Sequence, residues 1–221
     1  MPAGSPPVRL SGHLDEGVNR WLWLVKWLLI IPHAVVLAVL WIGVAVVSVI
    51  AWFSIVFTGR YPRSLFDYTV GVLRWTWRVG FYSYAALGTD RYPPFSLREQ
   101  PGDPATLTVE YPEHLSQGLV WVKSWLLAIP HLAIVGVLTG GFGGRWEQDR
   151  GPSLLALLIL VAAVALLFTG RYLRGLFDLV MGVNRWAFRV LVYVLLLRDE
   201  YPPFRLDQGE DEPAPVEAAV G

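Results

Sequence analysis

The string FTGRYPRSLFD, residues 57–67, returns at 168–178 as FTGRYLRGLFD, with two positions changed. A chain that repeats itself at this length is built from two copies of one unit, and each copy must bury its apolar face against something. Two further pairs keep the same order. VKWLLIIPH (25–33) is matched by VKSWLLAIPH (122–131), and DRYPPFSL (90–97) by DEYPPFRL (199–206). The expected organisation is therefore one unit over 1–97, a linker over 98–105, and a second unit over 106–206. The linker reads REQPGDPA, which is turn chemistry. The remaining tail, 207–221, is acidic and rich in Pro and Ala, a composition expected to be disordered.

Each copy carries a long uncharged run. From 27 to 59 there are 33 residues without a formal charge. Only 16% of the whole chain is charged and 54% is apolar, against roughly a quarter charged in an ordinary soluble domain. This places the chain in a bilayer. One straight helix of that length would measure roughly 50 Å, longer than about 30 Å of hydrocarbon, so it must tilt, bend or turn back. The second copy holds 13 more residues between its Pro130 and Phe168 than the first holds between Pro32 and Phe57. The surplus falls in 139–153, a glycine-rich stretch with Arg145, Glu147, Asp149 and Arg150, which cannot face lipid. It aligns near Trp41–Gly43. Each run is accordingly expected to be a transmembrane helical hairpin, with arms at about 21–40 and 44–57, then 119–138 and 154–168. Short second arms leave a partly re-entrant hairpin open.

The next segment of each copy is amphipathic. Asp67, Gly71, Arg74 and Arg78 step by 4, 3 and 4, and Asp178, Gly182, Arg185 and Arg189 repeat the stripe. Ser64 is the expected N-cap of the first, with Gly175 in its place in the second. Arginines in a lipid-exposed span are costly, which favours a helix lying in the interface; the rival is a third span whose stripe faces protein. Four short segments that alternate apolar and polar residues, at 8–11, 95–98, 107–110 and 204–207, are expected to pair as strands. The fold class expected is thus an all-α integral membrane protein of two tandem repeats, each a hairpin plus an amphipathic interfacial helix, with short extended strands at the repeat ends. On that arrangement both termini, both Gly-Arg-Tyr loops and both striped helices share one face. That face holds every arginine except Arg145 and Arg150, so it is cytoplasmic, and the protein is a multi-pass protein of the bacterial inner membrane. The N-terminus has no charged region followed by an apolar stretch, so no cleaved signal is expected.

The motifs VKWLLIIPH, FTGRYPRSLFD and DRYPPF, with their second copies, resemble a bacterial membrane family known as domain-of-unknown-function family 4389, in its two-repeat actinobacterial form. The resemblance covers nearly the whole chain. It implies a membrane location and tandem repeats, and it carries over no functional residue.

Enzyme templates fail. Neither Lys26 nor Lys123 follows a glycine, so there is no P-loop, and there is no GxSxG or HExxH. The GGFGG run at 140–144 reads as a flexible turn. With no cysteine, thiolate metal sites and disulfides are excluded; equal numbers of basic and acidic residues give no field for nucleic acid. His33 and His131 each follow a proline at matching positions. Two such imidazoles would ligate one haem; the ordinary account has each ring bonding a carbonyl freed by its proline. Lys26 and Lys123 read as snorkelling lysines. Arg60, Arg63, Arg74 and Arg78, with Arg171, Arg174, Arg185 and Arg189, form two basic sets suited to phosphate; their ordinary reading is an orientation signal. Asp67 and Asp178 read as caps or local arginine partners. The function expected is a non-enzymatic membrane scaffold or accessory protein that engages anionic lipid headgroups and a membrane protein partner, without cofactor. A haem-binding redox subunit using His33 and His131, or a small transporter, are the alternatives.

Overall fold

A computed structural model describes residues 7–15, 17–122, 127–139 and 153–207. The chain is mostly helical. Strand β1 (Val8–Gly12) leads into α1 (Trp23–Leu29), α2 (Ile31–Thr58) and α3 (Arg63–Tyr82). Strand β2 (Ala105–Val109) leads into α4 (Val120–Val122), α5 (Ile129–Thr139), α6 (Leu154–Thr169) and α7 (Arg174–Val194). The expected turn at 140–144, the position of Lys123 and the acidic tail beyond Asp207 lie outside the described residues.

The expected hairpin in the first copy does not form. Helix α2 runs unbroken for 28 residues, roughly 42 Å at 1.5 Å per residue. Its middle offers one glycine and no turn cluster, and breaking it in apolar surroundings would leave backbone groups without partners. Gly43, where the turn was expected, instead makes room for Tyr68 of α3. The Tyr68 hydroxyl donates to the Leu40 carbonyl at 2.9 Å, and a Cβ on Gly43 would stand 2.2 Å from that oxygen. In the second copy α5 and α6 lie along α7 as α2 lies along α3: His131 meets Trp186 as His33 meets Trp75. They correspond to the two ends of α2, with the insertion between them. Among the described residues α2 alone is long and apolar enough to cross a membrane. Only 11% of its most apolar stretch is buried, so most of that surface is exposed. Val35, Val39, Ile42, Val46, Val49 and Phe53 form one exposed row along it.

Both FTGR motifs end a helix. Gly59 and Gly170 take left-handed φ of 67° and 68°, a conformation that favours glycine. Each amide closes the last turn, on Ile55 and Leu166. The threonine before each glycine accepts from the arginine amide after it, at 3.2 Å in both copies. Neither Ser64 nor Gly175 caps the following helix. Helices α3 and α7 begin at Arg63 and Arg174, after Pro62 and Leu173, and neither has a side-chain cap bond.

Of the four expected strands, two form. β1 and β2 pair antiparallel with Leu10 opposite Leu107. The 95–98 and 204–207 segments instead bend after their Pro-Pro pairs, with Ser96 and Arg205 bonding back to Pro94 and Pro203. They press on α3 and α7 at Gly71 and Gly182. A Cβ at either glycine would stand 2.9 or 2.8 Å from Leu97 or Leu206.

Three layers result. Gly71, Arg74, Trp77 and Arg78 of α3 meet the ribbon and the 97–103 backbone. Tyr68, Trp75, Thr76 and Val79, on the opposite side, meet α2. The ribbon is therefore on one side of the α3 and α7 layer and the long arms on the other. Two ends of the molecule are also defined. At one, Lys26 meets Asp90, His13 meets Pro104 and Tyr172 meets Ala86. At the other, Leu115 meets Gly59, Glu110 meets Pro7 and Asp199 caps Ser116. Helix α2 thus runs from the first end to the second, and α5–α6 runs back. The two Gly-Arg-Tyr loops consequently stand at opposite ends, not together as the hairpin reading required.

Candidate functional site

The two basic sets divide by helix position. In each stripe the guanidiniums bond polypeptide. Arg74 donates to the carbonyls of Leu107 and Leu97 at 3.0 and 3.2 Å, and Arg185 to that of Leu10 at 3.3 Å. Arg189 bonds the carbonyls of Arg205, at 3.0 Å, and of Asp207. Arg78 is 2% exposed; it bonds the Arg98 carbonyl at 2.7 Å and pairs with Asp103 at 3.2 Å. Burial is the larger influence on this pair: it raises the Asp103 carboxyl and lowers the Arg78 guanidinium, each against the pull of the other. Arg74, Arg78, Arg185 and Arg189, expected on an outward, phosphate-facing stripe, each bond a peptide carbonyl. Peptide carbonyls outside the helices supply the acceptors that headgroups were expected to supply.

Arg60, Arg63, Arg171 and Arg174 are exposed. Arg63 pairs with Asp67 at 3.5 Å, one helical turn on, and lies over the Tyr111 ring. Asp67 is thus a local arginine partner.

Lys26 does not snorkel. Its side chain is fully buried, donates to the Thr89 carbonyl at 2.6 Å, pairs with Asp90 at 2.9 Å and sits over Tyr82. Asp90 also accepts from the Asn19 amide, while the Thr89 hydroxyl donates to Asp15. A buried ammonium needs a paired carboxylate and full hydrogen bonding, and the DRYPPF segment folds back on α1 to provide both. Sequence reasoning missed Asp90. Its signal was the aspartate that opens both DRYPPF and DEYPPF; Asp199, at the matching place, accepts from the Ser116 amide at 2.6 Å.

Each histidine lies in an aromatic cage of its own. His33 stacks on Phe95 with 4.0 Å between ring centres, next to Tyr92 and Trp75. His131 stacks on Phe204 at 4.2 Å, next to Tyr201 and Trp186. Both imidazoles are fully buried. His33 does not bond a freed carbonyl: its Nδ1 accepts from the Trp75 indole at 3.2 Å. The cages share no residue, so one haem held by both rings would require both to open. Among the described residues no three His, Cys, Asp or Glu side chains gather as a metal site. The cage partners were readable in the repeat, since Trp75, Tyr92 and Phe95 recur as Trp186, Tyr201 and Phe204.

A family model described as "Domain of unknown function (DUF4389)" matches residues 20–96 and 152–205. No curated protein and no solved structure matches.

Proposed function

The chain belongs to the DUF4389 family, and on that premise we propose that it is a non-enzymatic scaffold or accessory protein of the bacterial inner membrane. It is built as two repeat units, 1–97 and 106–206, joined by the 98–105 linker. The observation that carries the reading is the exposed apolar row of α2, with further exposed apolar residues on α6 at Leu157, Leu160, Val161 and Val164. Exposed apolar surface of this extent needs a cover, and lipid tails cover it without a specific partner. Arg60, Arg63, Arg171 and Arg174 engage anionic headgroups; Arg74, Arg78, Arg185 and Arg189 serve the interior. Each exposed basic residue near an anionic surface contributes roughly 1 kcal/mol. A membrane protein partner completes the role.

Two measurements test this. Alkaline carbonate washing of membranes should leave the protein in the pellet; release into the supernatant would sink the membrane assignment. Native mass spectrometry of the quadruple variant Arg60→Gln, Arg63→Gln, Arg171→Gln and Arg174→Gln should show reduced retention of phosphatidylglycerol or cardiolipin relative to zwitterionic lipid. Unchanged retention would reduce these arginines to surface charge.

A further inference from the structure

The geometry points to a protein that lies in a single leaflet, its long arms flat in the membrane plane and its ribbon toward the water, without crossing the bilayer. The inference rests on the membrane reading above.

Three observations carry it. The first is the direction of the arms. Helix α2 runs from the Asp90 end to the Gly59 end, and α5–α6 runs back. If both crossed, Arg60 and Arg63 would face one compartment and Arg171 and Arg174 the other, against the bias that keeps basic loops on the cytoplasmic side. Flat arms put both sets at one depth on one side.

The second is the ribbon. It runs between the same two ends, from the Pro7–Glu110 pair to the His13–Pro104 pair. Leu10 and Leu107 are buried against α3 and α7, and Arg9 and Thr108 are exposed on the other face. In a crossing molecule Arg9 and Thr108 would be level with the hydrocarbon, where an arginine costs several kcal/mol. In a flat molecule the layers fall in order of polarity: exposed ribbon face, α3 and α7, then the exposed apolar residues of α2 and α6.

The third is the interruption of the second arm. Of helices α5 and α6, α6 has 16 residues, short of the ~20 that a span needs. They correspond to the two ends of α2, and the charges of Arg145, Glu147, Asp149 and Arg150 enter the sequence between them. Four charges within the sequence of an arm are costly for a crossing and ordinary for an arm at the interface.

The chain has no cysteine, so single cysteines can be placed cleanly. Arg9→Cys, Arg60→Cys and Arg171→Cys, all at exposed positions, should react with an impermeant maleimide from the same side of sealed inner-membrane vesicles. Spin labels at Val35→Cys, Val46→Cys and Phe57→Cys should report one common depth. Labelling of positions 60 and 171 from opposite sides overturns the proposal, as does a depth profile deepest at 46 and shallow at 35 and 57. Release of the unmodified chain by carbonate would instead overturn the membrane reading itself. A carbonate-resistant protein with opposite-sided labelling would overturn only the single-leaflet arrangement.

Discussion

Leu10 and Leu107 stand opposite each other at the centre of the ribbon, and each lies 16 residues ahead of its copy's lysine. Equivalent residues that pair with each other mark a two-fold relation between the halves. The relation extends to their carbonyls: Arg185 of the second half takes that of Leu10, and Arg74 of the first half takes that of Leu107. The reason lies in the ladder. Its terminal bonds, Glu110 to Pro7 and His13 to Pro104, fall at odd positions of the first strand. Residues 10 and 107 are therefore a non-hydrogen-bonded pair whose polar groups point out of the ribbon. The arginine of each stripe satisfies a carbonyl from the other half, which locks the halves together.

Replacing Arg74 or Arg185 with alanine leaves such a carbonyl buried without its donor. The expected cost is about 1–3 kcal/mol for each, read as a lowered unfolding midpoint in detergent. Lysine at either place should recover only part, since a point charge cannot repeat the two-carbonyl grip of Arg74. Full stability of both alanine variants would remove the interlock from the account.

Gly71→Ala and Gly182→Ala should each destabilise by about 1–3 kcal/mol, because the added carbon meets Leu97 or Leu206 below 3 Å. Gly175→Ala is the control: nothing lies within 4 Å of its Cβ position, so helix propensity alone acts, and the change should be neutral or stabilising by up to about 1 kcal/mol. Equal effects at the three sites would mean that close backbone approach is not what requires glycine at 71 and 182.

Asp90→Asn strips the buried Lys26 of its counter-charge and should cost about 3–5 kcal/mol. The double variant Lys26→Met with Asp90→Asn should recover most of that loss, because no charge is then left buried. Thermal unfolding of the two single variants and the double variant gives the coupling, and additive effects would argue against a direct pair.

The protein as purified should show no Soret absorption. Both imidazoles are fully buried, and the rings occupy separate cages, so no single haem reaches both without opening them. A Soret band that vanishes in His33→Ala and His131→Ala would restore the redox alternative.

The sequence by itself determined the apolar arms, the two copies and the helix ends at the FTGR motifs. All of these follow from composition, spacing or a backbone angle, which are local quantities. Tertiary structure decided which way each amphipathic element faces. A period of 4, 3, 4 gives a polar stripe but not its partner, and the ribbon carbonyls and the Leu97 backbone satisfy Arg74 as well as water or phosphate would. Likewise the uncharged run from 27 to 59 fits a hairpin and a rod equally. The rod forms because α3 packs alongside α2, with Tyr68 set against Gly43. Lys26 reads as a snorkelling residue until Asp90, 64 positions away, is folded against it. Such pairings depend on contacts between distant segments, and no local pattern specifies them.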